Sequence, residues 1–351
     1  MGIHHATTQH RLITVALAAL LVSLVEGRAA SADPSASAPA TAAATVYNYA
    51  PVTFWLVPHL SLGGPPSQRL RTNFALALGA SGYARLDGLD ISVAASWVTE
   101  SVNGVQVTSG FNYAGADLRG LQISAGANVT RGRVMGVQVS SGLNYGASVE
   151  GAQIGIVNVG GHVDGAQIGI VNIARRVRGA QIGIVNVAQD SSAPVGLVSL
   201  VRDGQHHVAL WSSDSAPVNV GVKLGGKYVY GLVTAGYEQS DTKKRWLTGV
   251  GIGGHVPLGE RVFLEPELIQ SHVNEGLTWS DTKNELTTLR LIGGFRVHRH
   301  LSFFAGPSAN LLATRVGHGE GFGLIHGKRL NSTRHATALR VWPGFVAGFQ
   351  I

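Results

Sequence analysis

The sequence predicts an all-β chain: an antiparallel β-barrel of the outer-membrane type that carries tandem β repeats of 14–16 residues. Three observations lead there. A Gly-x-Gln motif recurs from Gly104 to Leu200, at a spacing suited to strands and turns. An apolar segment near the N-terminus ends on small residues, as an export signal does. Mean hydropathy is positive, +0.17, yet beyond that segment no apolar run reaches the ~18 residues of a membrane helix. A hydropathic chain without such helices either buries a large β core or turns alternate residues toward lipid.

Taken in order, residues 1–32 read as a secretory signal. His10 and Arg11 precede the run Leu12–Val25, and Ala30, Ser31 and Ala32 offer a cleavage site. Residues 33–46 are rich in Ala, Pro and Ser and read as a flexible lead-in. Residues 47–203 form a repeat-bearing β region and residues 204–351 a C-terminal hairpin and barrel region. Val52–Leu62 and Asn73–Tyr83 have strand character and flank a Gly-Gly-Pro-Pro turn at 63–66. Asp90 stands 16 residues before Gln106 and opens the repeat.

The repeated glutamines are Gln106, Gln122, Gln138, Gln153, Gln167 and Gln181, so the period shortens from 16 to 15 to 14. In the 16-residue copies Val105, Val107, Phe111 and Tyr113 alternate with Gln106, Thr108, Gly110 and Asn112. That alternation suits a strand with one face to lipid and one to a watery interior, with Tyr113 and Tyr145 in an interfacial girdle. In the 14-residue copies Asn158 follows Gln153 by five residues, which on an unbroken strand moves it to the other face. Either a bulge of the earlier copies is absent, or the repeats are coils of a parallel β-solenoid with Gln and Asn stacked in ladders. The fold class is therefore an antiparallel barrel, with a solenoid plus a C-terminal barrel as the alternative.

After Leu200 the text becomes strand, turn, strand. Three hairpins are expected, turning at Gly225–Lys227, Pro257–Glu260 and His298–His300, with longer connections at Asn274–Glu285 and Arg315–Thr337. Short turns at one rim and long loops at the other are the outer-membrane pattern, and the segment count suggests roughly 16–18 strands. Leu339–Ile351 alternates apolar and small residues and resembles the C-terminal strand by which the outer-membrane assembly machinery recognises its clients.

The Gly-Ala-Gln-Ile-Gly-Ile-Val-Asn copies, the following Pro194–Gly204, and the stretches Val250–Gly259, His272–Glu275 and Phe304–Asn310 together resemble the bacterial surface-repeat-containing proteins of Gram-negative envelopes. The resemblance covers about Asn73 to Asn310. It implies an envelope or surface location, a repeat-bearing β structure and no catalytic residues to transfer.

Little in the sequence points to chemistry. There is no cysteine, hence no disulfide and no thiol for a lipid anchor. The net charge of +7 is dispersed, which gives no nucleic-acid patch. His318, Glu320, His326 and His335, with His298 and His300 nearby, match no metal-ligand spacing and read as solvated loop residues. Gly317–Gly323 lacks the strand-to-helix setting of a phosphate loop. His206 and His207 mark the end of the repeat. Glu265 and Glu267, placed with Arg261, are expected to line a barrel interior and pair there. No catalytic, cofactor or metal residue is assigned. The expected role is that of an exported outer-membrane or surface protein, structural, channel-like or surface-displaying, without catalysis. The alternative is a solenoid binding or adhesion module anchored by the C-terminal barrel. Its expected partners are outer-membrane lipid and the assembly machinery.

Overall fold

The computed structural model describes residues 46–57, 60–61, 69–239, 244–275, 284–315, 322, 328–331 and 337–351. The expected signal, nearly all of the lead-in and the turn at 63–66 lie outside the described residues, as do His318, Glu320, His326 and His335. The described chain is all β, but the repeat region is not part of an antiparallel barrel. From Asn48 to Val201 it winds as a parallel β-solenoid, whose strands form one 14-stranded sheet. Each Gln lies beside the Gln one coil away: Gln106 with Gln122, Gln138 with Gln153, Gln167 with Gln181. Each Asn does likewise, as in Asn144 with Asn158 and Asn158 with Asn172.

Parallel stacking is what identical repeats favour, because like side chains then sit over like and share one environment. A column of glycines makes the close stack possible. Gly104, Gly120, Gly136, Gly151, Gly165 and Gly179 all hold φ between +131° and +146°, where L residues are rare. A Cβ on Gly165 would lie 2.0 Å from the carbonyl oxygen of Gly151 in the preceding coil.

The shortening period is explained by corners rather than by a missing bulge. Gln and Asn sit on opposite sides of a sharp turn, so counting along one strand cannot assign the face of the Asn. One residue is lost between Thr130/Arg133 and Gly146/Ser148, where the register steps from 16 to 15. A second is lost at the other corner, where Ser140-Ser141-Gly142 gives way to Gly155-Ile156. Gln and Asn stay inside throughout, every one of the six of each fully buried.

The rest of the chain is a small antiparallel barrel. Its sheet has 10 strands; the short Val256–Pro257 and Lys328–Asn331 each pair on one side only, and the other 10 − 2 = 8 close a ring. Closure is made by Gln205–Ser213, which pairs with Val218–Gly225 on one side and Thr337–Gln350 on the other. Eight replaces the expected 16–18, because the repeats supply no barrel strands. The three hairpins pair as Val218–Gly225 with Val229–Gln239, Lys244–Gly254 with Val262–Glu275, and Asn284–His298 with Leu301–Arg315.

The last coil, Asp190–Val201, lies against the outside of the barrel at its short-turn rim. A Cβ on Gly226, in the first turn, would lie 2.4 Å from the Ser191 oxygen, and one on Gly231 2.5 Å from the Gly196 oxygen. The barrel therefore covers the open edge of the last coil, which would otherwise be free to pair with another chain.

Gly165→Ala should destabilise the solenoid by at least ~3 kcal/mol, through backbone strain and the clash with Gly151, and Gly259→Ala should be nearly neutral. Gly259 has open space around it. Chemical denaturation followed by circular dichroism checks both.

Candidate functional site

Inside the solenoid run two amide ladders and one apolar column. Gln122 Nε2 donates to Gln106 Oε1 at 2.7 Å, and the pattern repeats through Gln138, Gln153, Gln167 and Gln181 at 2.8–3.0 Å. The Asn ladder runs the opposite way: Asn112 Nδ2 donates to Asn128 Oδ1, and so on to Asn186, each at 2.9 Å. The two rows of amide dipoles thus oppose each other, which limits the net dipole of the stack. Each ladder ends on an acceptor without a protein partner, Gln181 Oε1 and Asn112 Oδ1. Beyond Gln181 the column holds Pro194, which has no amide to donate. Leu118, Val134, Val149, Val163 and Val177 fill the remaining interior.

Asp90 occupies the Gln column one coil before Gln106. It is fully buried and accepts hydrogen bonds from Ser81 and Ser92 at 2.6 Å, from Ser96 at 2.5 Å and from Tyr83. Gln106 Nε2 donates to Ser96 Oγ at 2.7 Å, so the chain of amide donors terminates on this carboxylate. Burial, and then the Asp90 carboxylate beside it, push the Tyr83 phenol well above its ordinary range.

The barrel interior is also polar. Lys223 Nζ lies 2.6 Å from Glu265 and 2.8 Å from Glu267, and Arg290 pairs with Glu267 from the neighbouring strand. Tyr230 donates to Glu267 at 2.5 Å, and His255 Nδ1 is 2.8 Å from Glu265. Two cations, Lys223 and Arg290, face two carboxylates, Glu265 and Glu267. Nearer the other rim Asp214 accepts from Trp342 Nε1 at 2.6 Å, Asn310 Nδ2 at 3.1 Å and the Phe345 amide at 3.2 Å. A cavity of about 40 Å³ borders both Asp214 and Arg290, room for a water or two. A ring of eight strands is just wide enough for its inward side chains to fill it.

Glu265 and Glu267 line the interior as the alternation indicates, but Arg261 is exposed and does not join them. Their partners are Lys223 and Arg290. Alternation marks Lys223 as inward, in phase with Asn219 and Gly221 and opposite Val220 and Val222. His298 and His300 lie side by side, with ring centroids 6.0 Å apart, in the last short turn. Among the described residues no group of three potential metal ligands forms. Tyr113 is not in a barrel girdle; it stacks on Trp97 at 4.2 Å on the outside of the solenoid.

With the interiors polar, the exteriors are apolar, and this surface is the site. On the solenoid, Ile154, Ile168 and Ile182 stack outward, flanked by Ala152, Ala166 and Ala180. Ile156, Ile170 and Ile184 stand at the sharp corner and are 46–51% exposed. Val157, Val171 and Val185 carry the surface onto the opposite face. The other corner is charged. Arg133 pairs with Glu150 and Arg176 with Asp190, while Arg71 and Arg85 hold Asp87. Burial works to raise the Asp87 carboxyl, but the Asn103 hydrogen bond and the two guanidiniums outweigh it and hold the group below its ordinary value. On the barrel, Val220, Val222, Val233, Val250, Ile252, Leu268, Leu289 and Leu291 point outward.

No family model matches the chain, and no curated protein or solved structure matches it either.

Lys223→Met should cost ~3–5 kcal/mol, because it leaves two buried carboxylates short of a counter-charge. Adding Glu265→Gln should recover part of that loss. Unfolding of the purified protein, followed by tryptophan fluorescence, reads both effects.

Proposed function

We propose that the chain is a membrane-anchored β-solenoid interaction module without catalysis, whose eight-stranded barrel spans an outer membrane. The observation that carries this is the polarity of the ring: every strand is paired, the interior is charged and polar, and the exterior is apolar. A closed barrel of that kind leaves no backbone group unpaired in lipid.

The dimensions agree. On Asn284–His298 the outward residues are apolar from Leu289 to Val297, ~27 Å along the strand at ~3.4 Å per residue. At the usual strand tilt of ~35–45° this projects to ~19–22 Å along the membrane normal, near the ~25 Å apolar band of such barrels. Above it the exterior turns polar at Gln270, His272 and Glu285, which hydrogen-bond one another. Tyr228, Phe295 and Phe303 near the short-turn rim, and Tyr237 near the other, stand where interfacial aromatic girdles stand. The export signal and the resemblance to envelope surface-repeat proteins support the same reading. A ring of only eight strands, crossed by the buried ion pairs of Lys223 and Arg290, favours an anchor over an open channel.

The turns at 226–228, 255–261 and 299–300, the start of the ring at Gln205 and the strand end at Gln350 share one rim, and the strand ends at Ser213, Gln239, Glu275 and Arg315 share the other. In outer-membrane barrels the rim of short turns faces the periplasm. The solenoid leaves from that rim, so in this reading it belongs to the periplasmic side rather than to the outer cell surface.

Membrane fractionation and gel mobility in SDS, with and without boiling, test the anchor. The protein should be extracted only by detergent, and its band should shift on heating as the closed barrel opens. Recovery as a soluble monomer without detergent overturns the reading.

A further inference from the structure

The barrel's outward belt has an assigned neighbour in lipid; the apolar exterior of the solenoid does not. We propose that the 14-residue coils insert edge-first into a single lipid leaflet beside the barrel, with the isoleucine corner toward the bilayer centre and the charged corner among headgroups. This rests on the membrane reading of the barrel and names the solenoid's own partner, a lipid surface.

Three observations carry it. The first is the cross-section. From Asp164 at the charged corner to Ile170 at the sharp corner is six residues of extended chain, ~20 Å at ~3.3 Å per residue. Half of a bilayer including its headgroups is ~20–22 Å. Between those corners the outward positions are Ala166 and Ile168 on one face and Val171 and Ile173 on the other, without a charge. A flattened coil that is apolar on both faces and at one corner, and charged at the other, has the polarity of an interfacial insert.

The second is that lipid asks nothing more of the backbone there. Each coil is hydrogen-bonded to the coils on both sides, and apart from Gln181 Oε1 the amides of Gln and Asn are paired inside. The barrel covers the end of the stack that faces it.

The third is orientation. In the last coil Ser191 and Pro194 lie against Gly226, in the turn at the rim, while Gly196 and Leu197 lie against Gly231, further up the strand Val229–Gln239. The charged corner is therefore level with the rim and the apolar corner is set up the flank, toward the middle of the barrel's belt. The stack meets the barrel wall in the pose that the leaflet requires. The same demand accounts for the isoleucines at the sharp corner of these coils, where earlier copies hold Ser109, Ala125 and Ser141.

The chain has no cysteine, so single cysteines can carry a nitroxide. The full-length protein would be folded into phosphatidylcholine–phosphatidylglycerol vesicles with a label at I170C, I184C, R176C or L291C. Collisions with oxygen, which concentrates in the acyl region, are compared with those of a water-soluble nickel chelate. The proposal expects the oxygen-to-nickel ratio at positions 170 and 184 to match the barrel site at 291 and to exceed that at 176 several-fold. Free access of nickel to 170 and 184, with 291 protected, overturns the insertion and leaves the barrel anchor standing. Protection of 170 and 184 from both reagents, with spin–spin broadening between copies, assigns the face to a second copy instead and also overturns it. Nickel access at 291 itself removes the membrane reading and the insertion with it.

Discussion

The structure depends on pairing buried amides with one another. A carboxamide taken out of water without a partner costs ~1–3 kcal/mol, and the solenoid buries two per coil. That cost is met only if every coil presents the same residue at the same height, so that each Nε2 or Nδ2 finds an oxygen one coil away. The requirement for Gln over Gln and Asn over Asn selects parallel in-register strands. Those in turn demand the positive-φ glycine column, because the backbone of one coil touches the next at that point. Near-identity between copies is thus a consequence of hydrogen-bond geometry.

Putting amides inside releases the outer face from any duty to water. Both parts of the molecule share this inverted polarity, though by different means. The solenoid fills its interior with neutral ladders, of which the Gln ladder ends on Asp90 through Ser96. The barrel fills its interior with a balanced ion network centred on Lys223, Glu265, Glu267 and Arg290. Contiguous rows of exposed isoleucine, valine and leucine such as these are the kind of surface that marks interaction or membrane faces in proteins generally.

How far the sequence was legible depended on local periodicity. Strand character at Leu289–Val297 and the period-2 alternation of Leu301–Thr314 placed that hairpin, its turn and the two faces of its second strand, because a hairpin is a local object. The first strand begins earlier, at Asn284, inside the expected connection. The same alternation in Val105–Tyr113 identified inside and outside correctly and still misled about the fold. Inward Gln with outward Val fits a barrel strand and a solenoid strand equally, and the choice lies in which strands pair. The 14-residue copies held the deciding clue: their identity favours stacking like over like, yet the step from Gln153 to Asn158 spans a corner that strand parity does not see. The network around Glu267 was half legible, since alternation put the carboxylates inside but could not say that Lys223 from across the ring and Arg290 from the neighbouring strand, rather than Arg261, would meet them. The cage of Asp90 depends on Ser81, Tyr83 and Ser96, which reach it only once the coil is wound.

The most direct test of parallel stacking is disulfide formation between cysteines in neighbouring coils. Ile154 and Ile168 are register partners, and strands ~4.8 Å apart fall within the Cα separation a disulfide spans. The double variant I154C/I168C should close a bond on mild oxidation, and I154C/I170C should not. An antiparallel hairpin turning near Gly161 would bring 154 opposite 170 and reverse the result. A bond in the second variant and none in the first would contradict the solenoid and everything derived from it.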